Sequence, residues 1–219
     1  MVGENEVREL LGPFGLQLTS EQIAQLLTYL NLLLRWNIKI NLTAIRSAEE
    51  CITRHFGESL YLARFVQLKG GLLDIGSGAG FPGLALMIVF PHLQVTLLEP
   101  VAKKRAFLKE VARLCEMQSV EVRPERLDVF VPFVAGTAQF DAATSRAVGG
   151  LRELIPKAVR CLKPRGALFL WLSQDQGREA VATGRNCIDW TDPIPIPLSH
   201  QRQIWRGRRQ SPEVMSSEL

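Results

Sequence analysis

Apolar positions recur at helical spacing in the first third of the chain. Six of them form one predicted helical face: Ile23, Leu26, Leu27, Leu30, Leu33 and Leu34. Two capping-box patterns, a Ser or Thr followed three residues later by Gln or Glu, mark helix starts: Thr19 with Gln22, and Ser47 with Glu50. The second helix is predicted to continue through Leu60. We therefore predict a helical unit over residues 1–69, with a loop at Arg35–Thr43 between its two helices.

The pattern changes at Gly70-Gly71 to short apolar runs separated by amphipathic segments. The runs that predict strands are Leu72–Ile75, Val95–Leu98, Val120–Val122, Phe140–Thr144 and Ala167–Leu172. The segments that predict helices are Gly83–Phe90, Val101–Cys115 and Leu151–Leu162. Alternating strands and helices form a parallel sheet covered on both faces, so we predict an α/β fold, one compact unit over residues 70–219. Its prolines make Asp192–Pro197 extended, and Ile204-Trp205 suits a late strand.

Composition and charge are those of a globular protein. Of 219 residues, 47% are hydrophobic and 22% are charged, which excludes a disordered chain. The net charge is +4, and the excess lies in residues 151–219, which carry 11 basic and 7 acidic groups. Four arginines there have no acidic neighbour in sequence: Arg202, Arg206, Arg208 and Arg209. This basic end fits a phosphate-bearing partner and equally a solvated surface.

Cysteine, histidine and hydropathy patterns exclude further classes. The four Cys contain no CxxC pair and the three His are isolated, so we expect neither a metal site nor a disulfide framework. The longest charge-free run, between Asp74 and Glu99, holds glycines and prolines that break a membrane-spanning helix. The N-terminus has no apolar signal core. We expect a cytoplasmic protein that works as a monomer.

The most informative motif is Asp74–Gly83, which reads Asp-Ile-Gly-Ser-Gly-Ala-Gly-Phe-Pro-Gly between the first strand and helix of the α/β unit. Open α/β sheets bind ligands at the carboxyl ends of their strands, and glycines let a ligand approach the backbone closely. The spacing DxGxGxG differs from the GxGxxG of dinucleotide-binding proteins. It favours S-adenosylmethionine, with Asp74 near the ligand's amino group. Glu99 ends the second strand, where a carboxylate can accept both ribose hydroxyls.

Motifs over most of residues 8–172 resemble those of a known enzyme family. They are Trp36-Asn37, Asn41–Arg46, His55-Phe56, Ser59-Leu60, Asp74–Gly83, Leu97–Glu99, Lys103–Arg105, Phe107-Leu108 and Ser145–Ala147. In these the chain resembles the bacterial 16S ribosomal RNA guanine-N7 methyltransferases known as RsmG or GidB. The resemblance implies a Rossmann-like S-adenosylmethionine-dependent methyltransferase fold with a helical N-terminal extension. It also implies a substrate, one guanine of 16S rRNA in the small ribosomal subunit.

The chain departs from the family's usual residues at three places. Glu58 and Glu99 stand where the family usually or often has Asp, and Leu172-Ser173-Gln174 stands where it usually has Lys-Gly. Guanine N7 carries no proton, so its methylation needs alignment rather than a general base. We therefore predict that the missing lysine slows the reaction without stopping it. Three basic residues are expected to replace part of its charge: Lys163, Arg165 and Arg178.

Site residues follow from strand ends and from the family resemblance. Arg146, after the fourth strand, is the predicted catalytic residue, in contact with the methionine carboxylate or the guanine. The predicted cofactor-binding residues are Asp74, Gly76, Ser77, Gly78, Gly80, Phe81, Glu99, Leu127, Asp128 and Arg146, of which Leu127 and Asp128 are assigned to the adenine. The predicted RNA-binding residues are Lys103, Arg126, Asn37 and Asn41. A cap, a turn or a solvated surface charge is the structural alternative for several of them, and His55 is expected to be a core histidine.

Three other functions stay open. A dinucleotide oxidoreductase is disfavoured by the DxGxGxG spacing. A methyltransferase for a small molecule or a protein is disfavoured by the basic C-terminal third and by the N-terminal motifs. A cofactor-binding protein without methyltransferase activity is favoured by the missing Lys-Gly.

Overall fold

The computed structural model describes residues 2–134, 139–146, 149–199 and 201–211, and the family-like Ala147 lies outside these ranges. Among them, eight strands form one sheet. The strands are β1 Gly71–Ile75, β2 Gln94–Leu98, β3 Val120–Arg123, β4 Phe140–Arg146, β5 Leu162–Leu172, β6 Ile188–Trp190, β7 Ile194–Pro195 and β8 Gln203–Arg209. Their order is β3-β2-β1-β4-β5-β8-β6, with β7 also paired to β8.

The first five strands are parallel, as the sequence predicts, and β8 is the predicted late strand. It runs antiparallel to β5, β6 and β7. All five parallel strands therefore place their carboxyl ends at one edge of the sheet. That edge is where open α/β folds bind their ligands.

Nine α-helices surround the sheet in the described ranges. They are α1 Glu4–Leu11, α2 Ser20–Ile40, α3 Ala48–Glu50, α4 Glu58–Leu60, α5 Gly83–Val89, α6 Ala102–Leu114, α7 Leu127–Val134, α8 Leu151–Cys161 and α9 Gln174–Gly184. A π-helical segment, Cys51–Gly57, joins α3 to α4 without a break. The predicted second helix is therefore real, although its hydrogen-bond pattern changes along its length. The helices α7 and α9 are additions to the sequence-based prediction.

One predicted loop is wrong. The helix α2 begins at the predicted Thr19 cap, whose hydroxyl accepts from the Gln22 N–H at 3.2 Å. It continues to Ile40, so most of the predicted loop is helix, and the chain turns only at Asn41, which has a φ of +49°. The extension is stabilised by packing, since the Trp36 ring lies 5.8 Å from the Phe107 ring, centroid to centroid.

Hydrophobic side chains form two clusters, one on each face of the sheet. The N-terminal helices, α5 and α6 cover one face, where Leu26, Phe56 and Phe107 are buried. The helices α7, α8 and α9 cover the other, where Phe130 and Ile155 are buried. The N-terminal helices therefore share the first cluster with the sheet. The predicted division of the chain into residues 1–69 and 70–219 stays a prediction. Within the described ranges, no helix has both the length and the apolarity needed to cross a membrane.

Candidate functional site

The loop after β1 is shaped by glycines that serve different purposes. Gly76, Gly78 and Gly80 all have positive φ, at +71°, +56° and +88°. A Cβ on Gly78 would meet only the Gly76 carbonyl, at 3.8 Å, whereas a Cβ on Gly80 would lie 2.2 Å from the Tyr29 hydroxyl. Gly78 thus leaves free space beside the backbone, where a ligand can approach, and Gly80 lets the loop pack against the helical extension.

Aromatic side chains hold this loop against the N-terminal helices. The Tyr29 hydroxyl in α2 donates to the Ala79 carbonyl at 2.5 Å. The Phe81 ring stacks on both the Tyr29 ring and the His55 ring, at centroid distances of 5.2 and 4.8 Å. Phe81 is buried, and so is Ser77, whose hydroxyl donates to the Asp74 carbonyl at 3.0 Å. The loop is therefore fixed from the helical side by contacts within the protein.

Asp74 begins the segment Asp74–Gly83, here called the glycine loop, and is fully buried beneath it. Its Oδ1 accepts from the Thr144 hydroxyl at 2.7 Å, and its Oδ2 has no hydrogen bond. Burial raises the pKa of Asp74 to about 6, and the Thr144 hydrogen bond opposes that rise. A Cβ on Gly83 would lie 2.8 Å from Oδ2, so the carboxylate packs tightly against the start of α5. The predicted contact of Asp74 with a ligand amino group stays a prediction.

Glu99 presents a preorganised carboxylate at the end of β2. The residue is 4% exposed, and its two oxygens accept the Gly78 N–H at 2.9 Å and the Val101 N–H at 2.8 Å. Each oxygen keeps a further lone pair that a hydroxyl group can use. Arg105 donates to the carbonyls of Glu99 and Pro100, at 3.1 and 2.6 Å, so it secures this turn.

A cavity of about 360 Å³, here called the glycine-loop cavity, opens beside these groups. It is lined by Ile75, Gly76, Leu98, Pro100, Glu125, Arg126, Leu127, Asp128, Gly149, Gly150, Glu153, Leu154 and Lys157. The predicted adenine residues Leu127 and Asp128 therefore lie at its wall, with Leu127 partly buried and Asp128 exposed. Apolar side chains beside polar groups suit an aromatic base with a polar rim. Among the described residues, no group of three His, Cys, Asp or Glu side chains is placed to hold a metal ion.

Arg146, the last residue of β4, is bound by the helical extension. Its Nη1 donates to the Arg54 carbonyl at 2.9 Å, and its Nη2 lies 2.5 Å from Nδ1 of His55. Its guanidinium lies over the Phe81 ring, 5.5 Å from the centroid. Burial lowers the pKa of Arg146 to about 10, while the Glu58 carboxylate opposes that fall. Arg146 therefore stays charged at neutral pH, in contact with protein groups on several sides.

His55 is buried, as expected for a core histidine, and it also has two polar partners. Burial, followed by the charge of Arg146, lowers the pKa of His55 to about 3, so the ring is neutral. Because Nδ1 accepts from Arg146, the ring proton lies on Nε2, which donates to the Thr43 hydroxyl at 2.8 Å. The family-like segment around Thr43 is thereby linked through His55 to the end of β4.

Glu58 completes a group of four side chains, the arginine cluster, which consists of His55, Glu58, Arg146 and Arg202. Oε2 of Glu58 lies 3.3 Å from Nε of Arg202 and 3.7 Å from Nη1 of Arg146. Burial raises the pKa of Glu58, and the two guanidiniums oppose this. No site role was predicted for Glu58, and Arg202 was predicted only as one of the C-terminal arginines that suit a phosphate-bearing partner. The available signals were the three-residue spacing of His55 and Glu58 on one helix, and an arginine without an acidic neighbour in sequence.

A second cavity at the same edge, the strand-end cavity, measures about 750 Å³. It is lined by Arg54, Glu58, Gly149, Trp171, Ser173, Gln176, Leu198, Ser199, Gln201 and Arg202. It meets the glycine-loop cavity at Gly149, which lines both. Ser173, at the place of the family's Lys-Gly, caps α9: its hydroxyl accepts from the Gln176 N–H at 3.3 Å.

The expected replacements for the missing lysine lie elsewhere. Lys163 and Arg165 lie in a bulge at the start of β5, about 20–25 Å from Ser173 along the sheet, so this expectation was wrong for both. Arg178 lies on α9, exposed and 3.9 Å from Asp175. The basic side chains that do line the strand-end cavity are Arg54 and Arg202.

The four predicted RNA-binding residues differ in accessibility. Lys103, Arg126 and Asn41 are exposed, and Arg126 lines the glycine-loop cavity. Asn37 is 3% exposed; its amide nitrogen donates to the Ile45 carbonyl at 3.1 Å, and its oxygen accepts the Thr43 N–H at 2.9 Å. Asn37 thus secures the turn after α2 and is not accessible to RNA in this structure, which corrects its assignment.

Solved structures resemble the chain at the level of the fold. The tRNA (m1A58) methyltransferase TrmI from Aquifex aeolicus has a TM-score of 0.55 and 15% identity, covering 70% of this chain and 68% of that one. M. jannaschii TYW2 in complex with AdoMet has a TM-score of 0.55 and 14% identity, covering 71% of this chain and 74% of that one. Together with the sheet order, they confirm the predicted Rossmann-like methyltransferase fold.

Sequence relatives give the family. Its model, GidB, rRNA small subunit methyltransferase G, matches residues 22–195. Ribosomal RNA small subunit methyltransferase G of Chloroflexus aggregans is 38% identical over 213 residues, covering 93% of this chain and 90% of that protein. The protein of the same name from Stutzerimonas stutzeri is 40% identical over 157 residues, covering 70% of this chain and 71% of that protein. On these matches, the chain belongs to the rRNA small subunit methyltransferase G family, GidB.

Proposed function

We propose that the chain transfers a methyl group from S-adenosylmethionine to N7 of a guanine in 16S rRNA. Family membership supports a small-subunit rRNA substrate, and the resemblance noted from the sequence implies the N7 position. The structural observation that carries the proposal is the meeting of two different cavities at Gly149. One has an apolar wall beside a glycine loop and a buried carboxylate, and the other has two arginines at its wall. A methyl donor and a nucleotide would lie side by side in such an arrangement.

The residues at the glycine loop fit S-adenosylmethionine. The open space beside Gly78 admits the ligand close to the backbone, and the free lone pairs of Glu99 suit a pair of ribose hydroxyls. The apolar side chains Ile75, Leu98 and Leu127 suit the adenine. When bound, the sulfonium supplies an activated methyl group and a good leaving group. Alignment of the two reactants is then the main task of the protein.

Arg146 has donors left for this task. Its two hydrogen bonds, to the Arg54 carbonyl and to His55, use only two of five N–H groups, and its side chain is 9% exposed. We propose that a remaining N–H contacts the guanine O6 or the methionine carboxylate. A donor at O6 orients the base and leaves N7 free to accept the methyl group.

The strand-end cavity would hold the nucleotide once it leaves its stack. Enzymes that modify a base need it exposed, which costs least in a single-stranded loop. Arg54 and Arg202 can contact phosphates, and Ser173 and Gln176 provide neutral hydrogen-bonding groups. These two arginines supply positive charge where the family has a lysine. We therefore expect an active enzyme, slower by about ten- to a hundredfold if the lost contact is worth about 1–3 kcal/mol.

Complementation tests the proposal. The chain is expressed in a bacterium deleted for its own RsmG, and N7-methylguanine in 16S rRNA is mapped; we expect the modification to return. The Arg146→Ala variant is the control. Normal cofactor binding without methylation of purified small subunits from the chain's own organism would favour the alternative, a cofactor-binding protein without this activity. We propose a cytoplasmic location, where small subunits are assembled, and a monomeric state, which light scattering would measure.

A further inference from the structure

A separate basic cavity lies at the opposite edge of the sheet from the proposed active site. This basic cavity measures about 340 Å³ and lies beside the start of β5. Its charged lining residues are Lys69, Lys163, Arg165, Arg206, Arg208 and Asp141. Its lining residue Ala167, where the regular part of β5 begins, is about 20 Å from Ser173 at the usual rise per residue. One nucleotide cannot reach both places, so the basic cavity is separate from the site described above.

Most of the positive charge in this cavity is not neutralised. Nζ of Lys163 lies 2.9 Å from both carboxylate oxygens of Asp141, the cavity's single acid. The other four cations form no ion pair within the described parts of the chain. Nε of Arg206 is buried and has no hydrogen-bond partner there.

The backbone brings these cations together from distant parts of the sequence. Side chains alternate along a strand, so Arg206 and Arg208 lie on the same face of β8 as Ile204. Arg165 lies in a tight turn at the start of β5, with a φ of +60°. The next residue, Gly166, is required because a Cβ there would lie 2.9 Å from the Lys163 carbonyl. The cluster is therefore built by strand register and by a turn with a defined conformation.

We propose that the basic cavity binds phosphates of a second segment of the RNA, remote from the target guanine. The identity of this RNA rests on the proposed function. Arginine forks and lysine bind phosphodiester oxygens without reading sequence, so such a contact positions the RNA. Because the two sites are about 20 Å apart, a separate segment of a long RNA has to reach the cavity. The cavity then increases affinity for long rRNA and leaves a short fragment unaffected.

The test compares two double variants with the same change in charge. Lys69→Glu/Arg165→Glu alters two exposed cations of the cavity. Lys109→Glu/Arg113→Glu is the control, since Lys109 and Arg113 are also exposed. Both lie on α6, which packs near β3, the strand at the far side of the sheet from β8. The dissociation constant is measured over a salt series for unmodified full-length 16S RNA and for a short fragment that carries the target guanine.

For the cavity variant we expect affinity for the full-length RNA to fall about tenfold or more. The slope of log affinity against log salt should fall by about two, one for each lost phosphate contact. The control variant should change both values much less, and neither variant should change affinity for the fragment. Equal losses in the two variants, or equal losses on the two RNAs, would overturn the proposal. Because binding is the readout, failure of methyl transfer alone would count against the proposed function and not against the cavity.

Discussion

The glycine loop and the arginine cluster lie at the same edge of the sheet but are built in different ways. The loop comes from one continuous segment, Asp74–Gly83, in which backbone conformation makes the space. The arginine cluster comes from three distant segments, and its members contact one another through side chains. A ligand site made by backbone depends on the local conformation of one segment. A site made by buried charges depends on every member, since removal of one leaves its partner unpaired.

Removal of Arg146 is expected to have the largest effect. The Arg146→Ala variant loses the proposed donor and leaves Glu58 with one cationic partner, Arg202. We predict that kcat for methyl transfer falls by about a hundredfold or more, the range seen when one stabilising donor is removed from an active site. Transfer of labelled methyl groups into unmodified small-subunit RNA measures this.

A double variant separates chemistry from stability in the arginine cluster. Arg146→Ala/Glu58→Gln removes the cation and also the buried negative charge, so we expect it to recover stability that Arg146→Ala loses. We do not expect it to recover methyl transfer. If the double variant is as active as the unmodified chain, Arg146 acts only by neutralising Glu58.

Two glycine substitutions distinguish packing from ligand access. Gly80→Ala places a methyl group against the Tyr29 hydroxyl at a positive φ, so we expect the free energy of unfolding to fall by about 3 kcal/mol. Gly78→Ala meets open space, so its cost is that of the backbone alone, about 1 kcal/mol, together with weaker cofactor binding. Denaturant unfolding and calorimetry measure the two quantities. Equal stability losses would contradict the division of roles.

The same difference explains what could be predicted from the sequence. The glycine loop, its flanking acids and the parallel strands are contiguous or periodic, so residue spacing was enough to predict them. The arginine cluster was not predicted as a unit, because contacts between His55, Arg146 and Arg202 depend on the three-dimensional fold. Asn37 was misassigned because its surroundings suggested a loop, whereas packing of Trp36 extends the helix. The positions of Lys163 and Arg165 required strand direction as well as sequence distance.

A substitution at Glu99 tests whether the glycine loop binds the cofactor. The Glu99 carboxylate can accept charge-assisted hydrogen bonds from the ribose hydroxyls, so Glu99→Ala should cost about 1.5–3 kcal/mol of cofactor binding. Calorimetry should then show affinity weakened by about ten- to a hundredfold. Because Glu99 also accepts from the N–H groups of Gly78 and Val101, the unfolding free energy of the variant is measured beside the binding, which separates a loss of loop structure from a loss of ribose contacts. Unchanged affinity in a folded Glu99→Ala variant would refute this placement.

His55 gives the smallest effect, and it depends on pH. Its pKa is about 3 in the folded chain against 6.5 for the ordinary group, so the unfolded state binds the extra proton between these values. Stability attributable to His55 is therefore complete above pH 6.5 and falls as the pH is lowered. Between pH 7 and pH 5 the loss should be about 1–2 kcal/mol. Asp74, whose pKa is raised to about 6, acts in the opposite direction, so total stability changes less.

A comparison of variants isolates the histidine. Unfolding free energies of the unmodified chain and of His55→Gln are measured at the two pH values, since the Asp74 contribution is common to both. We expect the difference between the two chains to shrink at pH 5. A difference that stays constant would mean that His55 titrates normally in the folded state.

The most direct test of the central claim uses two transcripts of the small-subunit RNA. One carries ordinary guanosine, and the other carries 7-deazaguanosine, in which carbon replaces N7. Each is incubated with the chain and labelled S-adenosylmethionine. We predict label in the first transcript and none in the second, because only N7 has the lone pair that accepts the methyl group. Equal labelling of the two transcripts would place the methyl group on another atom and contradict guanine-N7 methylation.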